Sequence, residues 1–272
     1  MTFEELTPTC FDIFRGSRTP CGLYARQKWL GEGGTEEWRR DFQQTVAELM
    51  EGQSADGSWG SSFIKTAQRL FGLHLTVRNQ TEDIRKALDW MAAHALLESE
   101  EIIYIEMGDI QESSLEGLPF VPGDSYFLTH GIMLFLAAIF GRGNDRHVVD
   151  AYDRLAEKVS GGRDVLSRYD DMNNILRAFA VHPVYAESVA TAMIVERLAE
   201  VQDEDGRWPE GVPFYQAMNA LGHLASPQAD RQLDRAFLLL SGMQNPDGTW
   251  GEAQKEWSTF LIVHALKNKK KL

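Results

Sequence analysis

The chain has 272 residues, 43% of them hydrophobic, and a formal net charge of −13. That length and content allow one large core. The acidic balance argues against non-specific binding to nucleic acid. Cys10 and Cys21 are the only cysteines, too few for a disulfide framework or a Cys-rich zinc site. The start, Met1 to Leu6, has no basic region followed by an apolar run. The longest apolar run, Ile132 to Phe140, is far too short to span a bilayer. The expectation is a cytoplasmic chain with no transmembrane segment; its oligomeric state is not legible.

In chain order, apolar and more charged helical segments alternate. Apolar members are expected near 10–29, 62–76, 125–140, 169–181, 212–225 and 255–267. Charged partners are expected near 36–51, 82–97, 145–160, 184–201 and 229–243. Phe63, Ala67, Leu70, Phe71 and Leu75 share one helical face, as do Phe260, Val263 and Leu266. Thr81 suits an N-cap, and Pro183 suits a helix start, where its missing N–H costs little. Ile102–Ile105 is the one β-like run. Residues 98–124 interrupt the alternation with eight acidic residues, no basic ones, Pro119 and Pro122. The segment reads either as a loop over a cavity mouth or as a surface excursion. Lys267 to Lys271 reads as a solvated basic tail, with 268–272 outside the helices.

Three turns repeat one motif, Gln-x-x-Asp-Gly-x-Trp: Gln53 to Trp59, Gln202 to Trp208 and Gln244 to Trp250. Repeated turns between repeated helices imply an array, and an array of this length can close into a ring around a cavity. Gly supplies the turn's backbone angle, Asp braces it, Trp offers a stacking face, and Gln can satisfy groups at a neighbouring helix end. These are architectural tasks.

The motif resembles the QW repeat of squalene and oxidosqualene cyclases and related terpenoid cyclases, whose fold also occurs in protein prenyltransferase β subunits. The resemblance spans about residues 36–267. It implies an all-α fold, a single α/α toroid over 1–272, with about six helical hairpins forming an inner barrel inside an outer ring. It further implies a terpenoid cyclase-like enzyme that cyclises a linear isoprenoid by acid initiation in a central aromatic cavity. An isoprenoid or apolar-ligand binding protein, or an interaction scaffold, is the alternative on the same fold.

Arg168-Tyr169-Asp170-Asp171 resembles the class II cyclase motif Asp-x-Asp-Asp. The resemblance assigns the proton donor to Asp170 and its partner to Asp171. Arg168 stands where the family has its first Asp, and a guanidinium there favours the ionised carboxylate. The other reading of the acidic pair is a helix N-terminus offsetting the helix dipole. Arg168, Tyr169 and Asn173 are expected at the substrate, together with Tyr126, Phe127, Tyr215, Trp257 and Phe260, whose ring faces would steady a cation. Phe135, Phe179 and Phe214 are further ring candidates on the inner helices. Asp170 and Asp171, read with Asn173 and Asn174, also resemble an Asp-rich magnesium motif whose last ligand would be Asn174, so Mg2+ is an expected cofactor only if the substrate is a diphosphate. His74 and His223 each lie 21 residues after their motif Gln, and His264 lies 20 after its own, which places the three at one level of a ring. They read either as a metal ring or as packing positions. A zinc set of the prenyltransferase kind lacks its Cys, because none follows Cys21.

Overall fold

The computed structural model describes residues 10–96, 115–162 and 165–272. Ile102–Ile105 and most of the acidic 98–124 segment lie outside the described residues. Among the described residues there are eleven α-helices: α1 (Pro20–Lys28), α2 (Glu36–Met50), α3 (Phe63–Thr76), α4 (Glu82–Ala95), α5 (Ser125–Ile139), α6 (Arg146–Gly161), α7 (Tyr169–Phe179), α8 (Val189–Val201), α9 (Phe214–Leu221), α10 (Pro227–Met243) and α11 (Lys255–Asn268). Each odd-numbered helix packs on the next odd-numbered one, and α11 packs back on α1. The six therefore close an inner barrel, and the even-numbered helices wrap it. The fold is an α/α toroid. Alternation leaves the inner helices parallel, with their N-termini at one end. No helix among the described residues is long and apolar enough to cross a membrane.

Burial follows the two layers. Inner α5 buries every residue from Leu128 to Ala137. Outer α6 buries only Val148, Ala151, Tyr152, Leu155 and Val159, a single stripe at helical spacing. Side-chain caps start many of the helices: Thr35, Ser62, Thr81, Ser188 and Ser226 each accept a backbone N–H of the first turn.

The motif turns join the layers. Each Trp indole donates to a carbonyl at the end of the preceding outer helix: Trp59 to Glu51 at 3.1 Å, Trp208 to Leu198 at 3.0 Å and Trp250 to Leu240 at 3.0 Å. Satisfying carbonyls at that helix end thus falls to Trp. Gln53 and Gln202 donate to the turn's own glycine carbonyl and to the next outer helix, at Asp83 and Gln232. Gly57 and Gly206 have φ of +96° and +88°. A Cβ on either would come within 2.5 Å of the Lys86 or Arg235 backbone, so glycine is required there twice over.

Three boundaries differ from expectation. The first inner helix begins at Pro20 rather than near residue 10, because left-handed Gly16 and the Thr19 cap break the run. The α8 helix begins at Val189, not Pro183: Tyr185–Glu187 form a separate 3-10 turn, and Ser188 caps the helix proper. The basic tail is not free in solvent. Lys269 bonds the Leu224 carbonyl and Asp230, and Lys271 pairs with Asp234 at 3.0 Å, tying the chain end to α10.

Candidate functional site

The barrel encloses a chamber of 140 Å3 to which all six inner helices contribute a side chain. Tyr24, Phe71, Phe135, Trp257 and Phe260 supply rings, in edge-on and tilted pairs with centroids 5.3 to 6.0 Å apart where Phe71 meets Phe135 and Trp257, and where Trp29 and Tyr24 meet Phe260. A wider hollow of 380 Å3 adjoins it at the N-terminal end of the barrel and shares Phe71, Leu75 and Trp257 with the chamber. Thr19, Gln68, Glu116 and Glu256 line that mouth, where Glu256 accepts from the Ser17 and Thr19 hydroxyls. At the other end a hollow of 530 Å3 shares Val181 and His223 with the chamber.

The described part of the acidic segment covers the barrel. Leu115, Leu118, Phe120 and Val121 are buried, and Pro119 lines the chamber. Residues 115–124 are therefore a cap over the cavity rather than a surface excursion. The cap is held by α7. Asn174 exchanges two hydrogen bonds with Val121, and Asp171 accepts the Asp124 N–H at 2.9 Å.

The expected acidic pair is split. Asp171 is fully buried but committed: besides the Asp124 N–H it pairs with Arg168 Nε at 2.8 Å. Burial pushes its carboxyl up, against the lowering effect of that N–H and of Arg168. Asp170 is exposed at the rim and does not enter the chamber. Its carboxyl is raised by desolvation, with Arg168 opposing. A proton donor to an alkene needs a dry setting, and the rim does not supply one. The side chain of Arg168 is 54% exposed and turns to Asp171 and Asp124, away from the chamber.

Of the ring candidates, Trp257, Phe260 and Phe135 line the chamber. Tyr126, Phe127, Tyr169, Tyr215 and Phe214 are half-buried and lie outside its wall. Phe179 is buried against Tyr152 and Tyr185 in the space between layers. Asn173 is buried with both amide atoms unpartnered among the described residues, one turn before Arg177 on the same helix face.

His74, His223 and His264 all line the chamber, as their spacing implied. Burial lowers His74 and His264 to about 4, with the Arg177 charge adding to it, and holds His223 well below its ordinary 6.5. All three are neutral at pH 7. Among the described residues no group of three His, Cys, Asp or Glu side chains is arranged to hold a metal.

The residue missed by sequence reasoning is Arg177. It is 5% exposed, lines the chamber, and stacks over Phe135 at 4.9 Å. It donates to Asn219 at 2.7 Å, and Asn219 in turn donates to the Leu261 carbonyl at 2.9 Å. The available signal was position: an arginine inside an inner helix has no solvent face to occupy.

No protein-family model matches the chain, and no curated protein matches its sequence. Solved structures do match. A protein from Actinoplanes superposes with a TM-score of 0.57 at 16% identity, over 94% of this chain and 89% of that one. A structure described as a possible member of the GH105 family, from Klebsiella pneumoniae subsp. pneumoniae MGH 78578, superposes with a TM-score of 0.50 at 13% identity, over 94% and 81%. At such identities the likeness is one of fold alone, and that fold is the α/α toroid.

Proposed function

We propose that the protein is a small-molecule-binding toroid whose site is the central chamber, reached from the mouth beside Glu116 and Glu256. The observation that carries this reading is the unfilled space of 140 Å3 at the convergence of all six inner helices. An empty core cavity of that size costs about 3 kcal/mol at roughly 24 cal/mol per Å3. Its wall combines five rings and the aliphatic side chains of Leu75, Ile139, Val181 and Leu261 with the polar groups of Arg177, Asn219 and three histidines, the mixed lining of a small-molecule site. An occupant accounts for both.

Acid-initiated cyclisation of a linear isoprenoid is the second reading. The toroid, the Trp257 and Phe260 faces and the raised carboxyls of Asp170 and Asp171 support it. Three observations count against it. Asp170 is solvent-exposed. Arg177 places a cation where a carbocation would form. The chamber is below the roughly 300 Å3 at which ordinary ligand sites begin. It is close to the ~150 Å3 that accommodates a benzene ring.

Thermal unfolding with toluene as a neutral probe tests the chamber. Stabilisation of the wild type, lost in Leu75→Trp where the larger ring blocks the passage, is expected. An unchanged midpoint in the wild type would sink the reading. Incubation with linear isoprenoids and their diphosphates, with and without magnesium, tests the rival. A cyclic product that disappears in Asp170→Asn would replace binding with cyclisation.

A further inference from the structure

Resting on the chamber as the binding site, we infer that its occupant is a small organic monoanion, a carboxylate on a compact apolar body, held by the guanidinium of Arg177. A buried cation is costly unless it meets an opposite charge. Arg177 meets none among the described residues. Burial is the sole cause of its lowered pKa of about 9, and no charged neighbour among the described residues offsets it. It therefore stays protonated at pH 7.

The side chain is also held in place for a ligand. Asn219 fixes one terminal nitrogen, and the Phe135 face fixes the plane. Nε is buried with no partner among the described residues. A guanidinium offers five donors in a planar fork, a geometry that matches a carboxylate.

The rest of the wall sets the charge and the body. Among the described residues no Asp or Glu lines the chamber, and its three histidines are neutral, so the described wall carries one positive charge. One cation suits a monoanion; a dianion such as a phosphate monoester would bring uncompensated charge into the core. His74 Nδ1 and His223 Nε2 have no partner among the described residues and offer further hydrogen bonds to polar atoms of the occupant. Phe71, Trp257 and Phe260 supply faces for an apolar body, and 140 Å3 limits it to about one ring.

Titration calorimetry with benzoate, its neutral isostere benzamide, and toluene tests the inference. Benzoate is expected to bind the wild type roughly 10- to 100-fold more tightly than benzamide, the usual range for hydrogen bonds to a buried charge. Arg177→Met is expected to abolish that preference while toluene still binds. If that variant fails to fold, Arg177→Lys keeps the charge and loses the fork, and a weakened but persisting preference is expected. Equal binding of benzoate and benzamide, or toluene binding alone, would overturn the anion and leave the chamber standing. Binding of none of the three would remove the chamber reading and this inference with it. A benzoate preference that vanishes at high salt would mark surface association and also overturn it.

Discussion

Asn174 and Val121 are joined by a reciprocal pair of hydrogen bonds: the Val121 N–H donates to Oδ1 at 3.1 Å, and Nδ2 donates to the Val121 carbonyl at 2.9 Å. Three residues earlier on the same helix, Asp171 accepts the N–H of Asp124. The first turns of α7 thus act as a clamp on the cap that covers the chamber. Polar residues that resemble a catalytic motif are here spent on holding a backbone.

Replacing Asn174 with Leu would leave the Val121 N–H and carbonyl buried and unpaired. A stranded group costs about 1–3 kcal/mol. Asn174→Leu is expected to lower stability by at least that much, and to speed amide hydrogen exchange at Val121. Normal exchange there would show that the cap does not depend on the clamp.

The acidic pair should separate in mutation. Asp171→Leu removes the buried acceptor of the Asp124 N–H, and a loss of about 1–3 kcal/mol is expected by chemical denaturation. Asp170 is exposed, and its raised carboxyl means that folding disfavours its charge. Asp170→Asn is therefore expected to leave stability within about 0.5 kcal/mol, with any change on the favourable side. A large loss at Asp170 would contradict its place on the rim.

The architecture was legible because the Gln, Gly and Trp of each turn act locally and repeat in sequence. The helix alternation followed from burial, full in the inner ring and one-sided in the outer. The site was less legible because it is assembled across the ring. Arg177, Asn219, Phe135 and Phe260 come from four helices, and no local spacing connects them. His74 and His223 could be matched because they share a repeat position. At a second shared position, 17 residues after Gln53 and Gln202, one copy has Leu70 and the other Asn219. That departure from an apolar residue pointed to the chamber but has meaning only beside Arg177. At Asp170 and Asp171 the same acidic pair suits both a helix start and a catalytic motif; burial tells the two side chains apart, and sequence does not show burial at that scale.

The glycine turns allow a controlled comparison. Gly57 and Gly206 combine a positive φ with backbone atoms 2.5 Å from any added Cβ. Gly52 has a φ of +76° and open space around it. Gly52→Ala is expected to cost about 1 kcal/mol from backbone strain alone. Gly57→Ala and Gly206→Ala are expected to cost roughly 1–3 kcal/mol more, because the turn must move off the next outer helix. Thermal midpoints of the three variants check this, and equal losses would show that the turns do not seat the outer ring.

The neutral histidines of the chamber predict an acid-sensitive fold with a defined sign. Burial holds His74 and His264 at about 4, with Arg78 and Arg177 adding to the effect at His74, while the unfolded imidazole titrates at its ordinary 6.5. Between these values the unfolded chain binds protons that the folded chain refuses, so stability falls as pH falls from 6.5 toward 4 and is unaffected by these groups above 6.5. Each histidine contributes up to about 1.4 kcal/mol per pH unit inside that window. His74→Gln is expected to reduce the slope of stability against pH by roughly that contribution while leaving the pH 8 value little changed. Benzoate seated on Arg177 would offset the nearby positive charge, ease protonation of His74 and His264, and flatten the wild-type slope. Denaturation midpoints across pH 4 to 8, with and without benzoate, read both effects. A slope that His74→Gln does not alter would place that imidazole in a wetter setting than the chamber provides.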